Sequence, residues 1–92
     1  MKIYIGQDNL TLSLITNNDL TDAQTALIKY EKPDSNVGEF IGTANGSLVE
    51  YQVQANDFNI EGDWKIWVHI TFTNGKVSIG EPSVLKIYKQ GT

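Results

Sequence analysis

Between Trp64 and Thr73 the chain alternates without a break. Trp64, Ile66, Val68, Ile70 and Phe72 hold one set of positions, and Lys65, Trp67, His69, Thr71 and Thr73 hold the other. Successive side chains of an extended strand point to opposite faces, so a period of two describes a strand with one buried side. A helix would need its apolar residues three or four apart. The same period runs elsewhere. Leu10, Leu12 and Leu14 alternate with Thr11, Ser13 and Ile15, and Ala26, Ile28 and Tyr30 with Leu27, Lys29 and Glu31. Val49, Tyr51 and Val53 are expected inward on a third run, and Leu85 and Ile87 on the last.

Turn residues punctuate these runs. Gly6-Gln7-Asp8-Asn9 ends a short opening run, Lys2–Ile5, and Asn17-Asn18-Asp19 precedes Gln24–Glu31. Pro33-Asp34-Ser35-Asn36 closes that strand, because proline brings no N–H to a ladder and Asp and Asn favour turns. Asn45-Gly46 joins Val37–Ala44 to Ser47–Gln54 and predicts a type I′ hairpin, with positive φ at both residues. Asn74-Gly75 follows the long alternation, and Gly80-Glu81-Pro82 separates Lys76–Ile79 from Ser83–Lys89. Only Ala55–Gly62 has room for a single helical turn. The expectation is an all-β fold, an immunoglobulin-like antiparallel β-sandwich of about seven strands. Ninety-two residues make one domain, 1–92, with no room for a second core.

Composition removes several kinds of chemistry. The chain has no cysteine, so disulfides, thiolate metal sites and thiol nucleophiles are excluded. All seven basic residues are lysines, dispersed along an acidic chain, whereas nucleic-acid readers bring arginine to phosphates and guanine edges. No nucleic-acid partner is expected. No apolar run approaches the ~18 residues of a membrane span, and the opening Met1-Lys2-Ile3 segment lacks a signal-peptide pattern. The expectation is a soluble, free-standing chain with no membrane partner. His69 is the only histidine, without the partners that a hydrolytic or metal centre needs. No enzyme and no cofactor are expected.

Asp57-Phe58-Asn59-Ile60-Glu61-Gly62-Asp63-Trp64 allows two readings. Asp57, Asn59, Glu61 and Gly62 match the first half of a calcium loop, but the twelfth position, where such a loop wants a bidentate glutamate, is Val68. The preferred reading is a structural corner, with Phe58 and Ile60 plugging the base of the core and Gly62 allowing the turn.

What remains is surface. Trp67 falls opposite Trp64 on its strand, flanked by Lys65 and His69. An outward tryptophan is either covered by its neighbours or anchors a partner. Leu27 and Leu48, with Ile15 and Val84, are also expected on outer faces and would extend the patch. The candidate interface is therefore Trp67, His69, Lys65, Leu27 and Leu48. A carbohydrate-binding alternative would stack sugar rings on Trp67 with Tyr51 or Tyr88. A small adaptor or inhibitor of a host protein is a third reading.

Several landmarks recur in one order: Asp19-Leu20-Thr21-x-Ala23, Ile28-Lys29-Tyr30-x-Lys32-Pro33-Asp34, Gly38-Glu39-Phe40, Val53-Gln54-Ala55-x-Asp57, Gly62-Asp63-Trp64 and Gly80-Glu81-Pro82. Together they resemble the small immunoglobulin-like structural and accessory proteins of tailed bacteriophages and prophages, including the N-terminal domain of the baseplate upper protein family. The likeness spans nearly the whole chain and lies in corners and turns, so it speaks first for fold. The family's Pro-Asp-Gly turn is Pro33-Asp34-Ser35 here. The resemblance implies a virion component, assembled in the host cytoplasm, that decorates the capsid or adapts a fibre or tail and baseplate part. It would dock through sheet faces or edges on other virion proteins or on itself as a homo-oligomer.

Overall fold

Alternation along each run becomes two faces of a sheet. The computed structural model describes residues 2–92, which form nine strands and no helix. They are β1 (Ile3–Tyr4), β2 (Thr11–Ile15), β3 (Ala23–Glu31), β4 (Val37–Ile41) and β5 (Thr43–Asn45). After them come β6 (Leu48–Gln52), β7 (Gly62–Phe72), β8 (Val77–Ile79) and β9 (Ser83–Tyr88). A six-stranded sheet runs β1-β9-β7-β3-β4, with β8 also on β7, and a three-stranded sheet runs β2-β6-β5. In immunoglobulin terms β3, β7 and β9 take the C–F–G order and β2, β6 and β5 the B–E–D order. The expected antiparallel pairing holds with one exception: β1 lies parallel to β9.

The inward positions build one core between the sheets. Trp64, Ile28, Val49 and Ile70 are fully buried, and Leu12, Val53, Phe58, Ile66 and Ile87 nearly so. An aromatic cluster fills one end. Tyr30 and Phe40 sit 4.7 Å apart, Phe40 stacks on Tyr51 at 4.6 Å, and Phe58 meets Trp64 edge-on at 5.1 Å. The indole N–H of Trp64 donates to the Ile60 carbonyl at 2.9 Å, so the buried ring leaves no polar atom wanting. Thr16 is the one buried polar side chain among the described residues; its hydroxyl donates to the Ser47 carbonyl at 2.8 Å.

Two local expectations need correction. The run Val37–Ala44 is not one strand: at Gly42 the chain leaves the larger sheet as β4 and enters the smaller one as β5. Gly42 allows this because a Cβ there would stand 2.6 Å from Val49 Cγ1 and 3.0 Å from the Ala26 carbonyl, which accepts the Gly42 N–H. The Asn45-Gly46 turn is not type I′. Asn45 pairs with Leu48, so the two-residue loop is Gly46-Ser47, and only Gly46 carries a positive φ, 64°. That is the type II′ disposition, with glycine first. Residues 55–57 form a single turn, with the Asp57 N–H donating to the Gln54 carbonyl at 3.0 Å, as the sequence allowed.

Ser35 is the one non-glycine among the described residues with positive φ, 72°, in the turn after Pro33 and Asp34. The left-handed region costs an L-residue roughly 1–2 kcal/mol. Two substitutions should therefore move stability in opposite directions. Gly42→Ala should lower it by about 1–3 kcal/mol through overpacking, and Ser35→Gly should raise it by about 0.5–1 kcal/mol after the glycine's entropy is counted. Urea midpoints measure both; an unchanged midpoint for Gly42→Ala would mean that the crossing between sheets relaxes freely.

Candidate functional site

The larger sheet buries one face and leaves the other open, and the cross-strand register shows what that outer face carries. Residues paired across strands share a face, so the outward positions fall into rows. One row reads Ile41, Leu27, His69 and Ile79 across β4, β3, β7 and β8. The next reads Glu39, Lys29 and Trp67. A third reads Val37, Glu31, Lys65 and Val84 across β4, β3, β7 and β9.

Four of the five candidate residues thus come together: Trp67, His69, Lys65 and Leu27 share this face. Leu48 does not. It pairs with Ile15 on the outer side of the smaller sheet, where its neighbours are Thr11, Ser13, Asn45, Glu50 and Gln52. Its outward placement was readable from the alternation, but which sheet it joined depended on the crossing at Gly42. Of the other expected patch members, Val84 joins Trp67 while Ile15 lies with Leu48.

Sequence reasoning missed the most exposed members of the face. Ile41 is 79 % exposed, Val37 72 %, Ile79 64 % and Val77 49 %, beside Val84 at 65 %. Trp67, Leu27 and His69 are half-buried between them. Five exposed aliphatic side chains thus share one sheet face with the half-buried Trp67, with Lys29, Glu31 and Lys65 set among them. The alternation of Val37 and Ile41 about Phe40 was the available signal.

Charge on this face is balanced. Its outward paired positions hold Lys29, Lys65 and Lys86 with Glu31, Glu39 and Asp63. Lys65 Nζ lies 3.8 Å from Glu31 Oε1, an exposed pair contributing about 0.2–1 kcal/mol. Elsewhere the chain carries its other four lysines against eight carboxylates, which accounts for the net charge of −4.

Two open clefts adjoin the sheets. One of about 490 Å3 lies between the end of β2 and β8, lined by Ile15, Trp67, Ile79 and their neighbours. The other, about 510 Å3, lies beside β3 and β4. Their only titratable lining side chains are Glu81 and Glu39 respectively. Of the aromatics named for sugar stacking, Tyr51 faces the core against Phe40, while Tyr88 shares the outer face with Trp67 but lies at the far end of β9, beside Tyr4.

The Asp57 corner serves the fold. Its carboxylate accepts from the Tyr51 hydroxyl and from the Gln54 N–H, both at 2.7 Å. Phe58 is buried just behind it. No group of three or more potential ligands stands ready for a metal ion among the described residues. Burial, and then the hydrogen bond to Asp57, push the Tyr51 hydroxyl up to about 12.

A raised folded-state pKa favours the protonated fold, so this contribution is complete below about pH 10 and is lost as pH climbs toward 12. Tyrosinate absorbance should show a late step near pH 12 that Tyr51→Phe removes. Asp57→Ala should shift that step downward and cost about 1 kcal/mol, because the Tyr51 hydroxyl and the Gln54 N–H lose their shared acceptor. A late step that survives Tyr51→Phe would refute the assignment. In comparison with known proteins, the chain matches no family model, no curated protein and no solved structure.

Proposed function

We propose that this chain is a non-enzymatic structural or accessory protein of a bacteriophage virion, which docks on the particle through the outer face of its six-stranded sheet. The observation that carries the docking reading is that face: five exposed aliphatic side chains share it with Trp67. Leaving such a patch wet is unfavourable, and tryptophan is the residue most enriched at interface hot spots. The clefts support binding over catalysis, since acid–base or nucleophilic chemistry needs several cooperating groups and each cleft offers one carboxylate.

The virion assignment is carried by the resemblance of the corner and turn landmarks from Asp19 to Pro82. A small sandwich repeated on a symmetric shell gains avidity from modest single contacts. Its role there would be capsid decoration or the bridging of a fibre or tail part.

Mass spectrometry of purified particles from the encoding phage should find the chain in many copies. Particles assembled with Ile41→Lys and Trp67→Ala together should carry at least about tenfold less of it, as expected for loss of hot-spot contacts. Absence of the parent chain from purified particles would sink the reading.

A further inference from the structure

We propose that the outer face of the six-stranded sheet is a two-fold interface between two copies of this chain, its axis parallel to the strands above the seam between β3 and β7. The inference rests on the docking reading of that face and names a second copy of this chain as what the face meets on the particle. A two-fold contact must be self-complementary: if residue i meets residue j, then j meets i. An axis along this seam exchanges left and right within each row while leaving the row itself unchanged.

The rows meet that requirement. In the first, Ile41 of one copy falls on Ile79 of the other, and Leu27 on His69. In the third, Val37 falls on Val84, and Glu31 on Lys65. Between them Lys29 falls on Trp67, an ammonium over an indole. Thr25 and Thr71 exchange at the next level. Aliphatic thus meets aliphatic at the corners, and opposite charges meet near the axis.

Charge selects the same face. Two identical acidic chains repel one another, and outside this face four lysines stand against eight carboxylates. At the paired positions of this face three lysines balance three carboxylates, so a second copy approaches it without strong net repulsion. Size agrees with a weak dimer. Four strands at about 4.8 Å and the stretch Thr25–Glu31 at about 3.4 Å per residue span roughly 19 by 24 Å. That flat footprint of roughly 450 Å2, before side-chain relief, sits at the small end against the roughly 800 Å2 per partner of a standard interface. Association in the micromolar range is expected.

Sedimentation across a dilution series, with two charge reversals, tests both the face and the axis. Glu31→Lys places two positive charges near the axis, and Lys65→Glu two negative ones. The native pair is exposed, so both variants should keep the parent's urea midpoint. Each alone should weaken dimerisation about tenfold or more, because like charges then meet across the axis. An equimolar mixture of the two should form a heterodimer with the parent's affinity, since every crossing is again opposite in sign. A monomeric parent at millimolar concentration overturns the proposal, as do variants that dimerise like the parent or a mixture that fails to recover. Particle binding is read separately. A monomer that still binds particles defeats the dimer alone, and a dimer absent from particles defeats the virion reading alone.

Discussion

Burial of Trp64 is the constraint on which the rest of the fold depends. The indole is fully buried on β7, the long strand paired with three others. Tyr30 from β3 packs against it at 5.3 Å, and Phe58 from the loop before β7 at 5.1 Å. Phe40 carries the cluster to Tyr51 on the opposite sheet. The Ile60 carbonyl takes its N–H, so the loop cannot leave without stranding a buried donor. Lys32 lays its ammonium 5.5 Å from the same ring, closing the exposed end. A chain of 92 residues without cysteine has no staple, and a domain of this size buries only roughly 60–65 % of its unfolded surface. This aromatic end must therefore couple the two sheets and the connecting loop.

Much of this is legible in the amino-acid sequence, for one physical reason. A period of two assigns each residue to a face whatever the strand's neighbours, so Leu12, Ile28, Val49, Trp64, Ile66, Ile70 and Ile87 read as inward, and they are buried. The corner at Asp57 is readable because a buried aromatic after glycine and acidic residues serves packing better than a calcium loop broken at Val68. What escapes is non-local. Whether Val37–Ala44 stays in one sheet is decided by the space between Gly42, Val49 and the Ala26 carbonyl, which no single run of sequence contains. The hairpin slips by one residue for a similar reason: pairing of Asn45 with Leu48 overrides the local preference of Asn-Gly. The candidate face is half legible. Trp67 and His69 stand out by type, but Ile41 and Ile79 join them only through register across four strands.

The same alternation that builds the core also decorates the outside, and the two faces obey different rules. Inward positions are chosen by volume and lack of charge. Outward positions on the smaller sheet are mostly polar, with Ile15 beside Leu48 as the exception, and there Thr11 meets Gln52 and Asn45 meets Glu50 in hydrogen bonds. Outward positions on the larger sheet follow neither rule: aliphatic side chains alternate with paired charges, the composition of an interface rim and core interleaved. One sheet thus packs the core on one side and, on the other, carries exposed aliphatic residues beside paired charges.

The parallel pairing of β1 with β9 has a mechanical consequence. The chain enters the fold at one end of this pair and leaves it at the other, so tension between the two ends runs along the strands. Under such load the bonds that tie Ile5 to Tyr88, Gln90 to Ile5 and Tyr4 to Thr92 are sheared together, whereas a hairpin would unzip bond by bond. With only two residues in β1, this latch is short and gives way before the strands around Trp64 do. Loss of β1 in one step would leave the edge of β9 unpaired, while the aromatic core around Trp64 does not include β1.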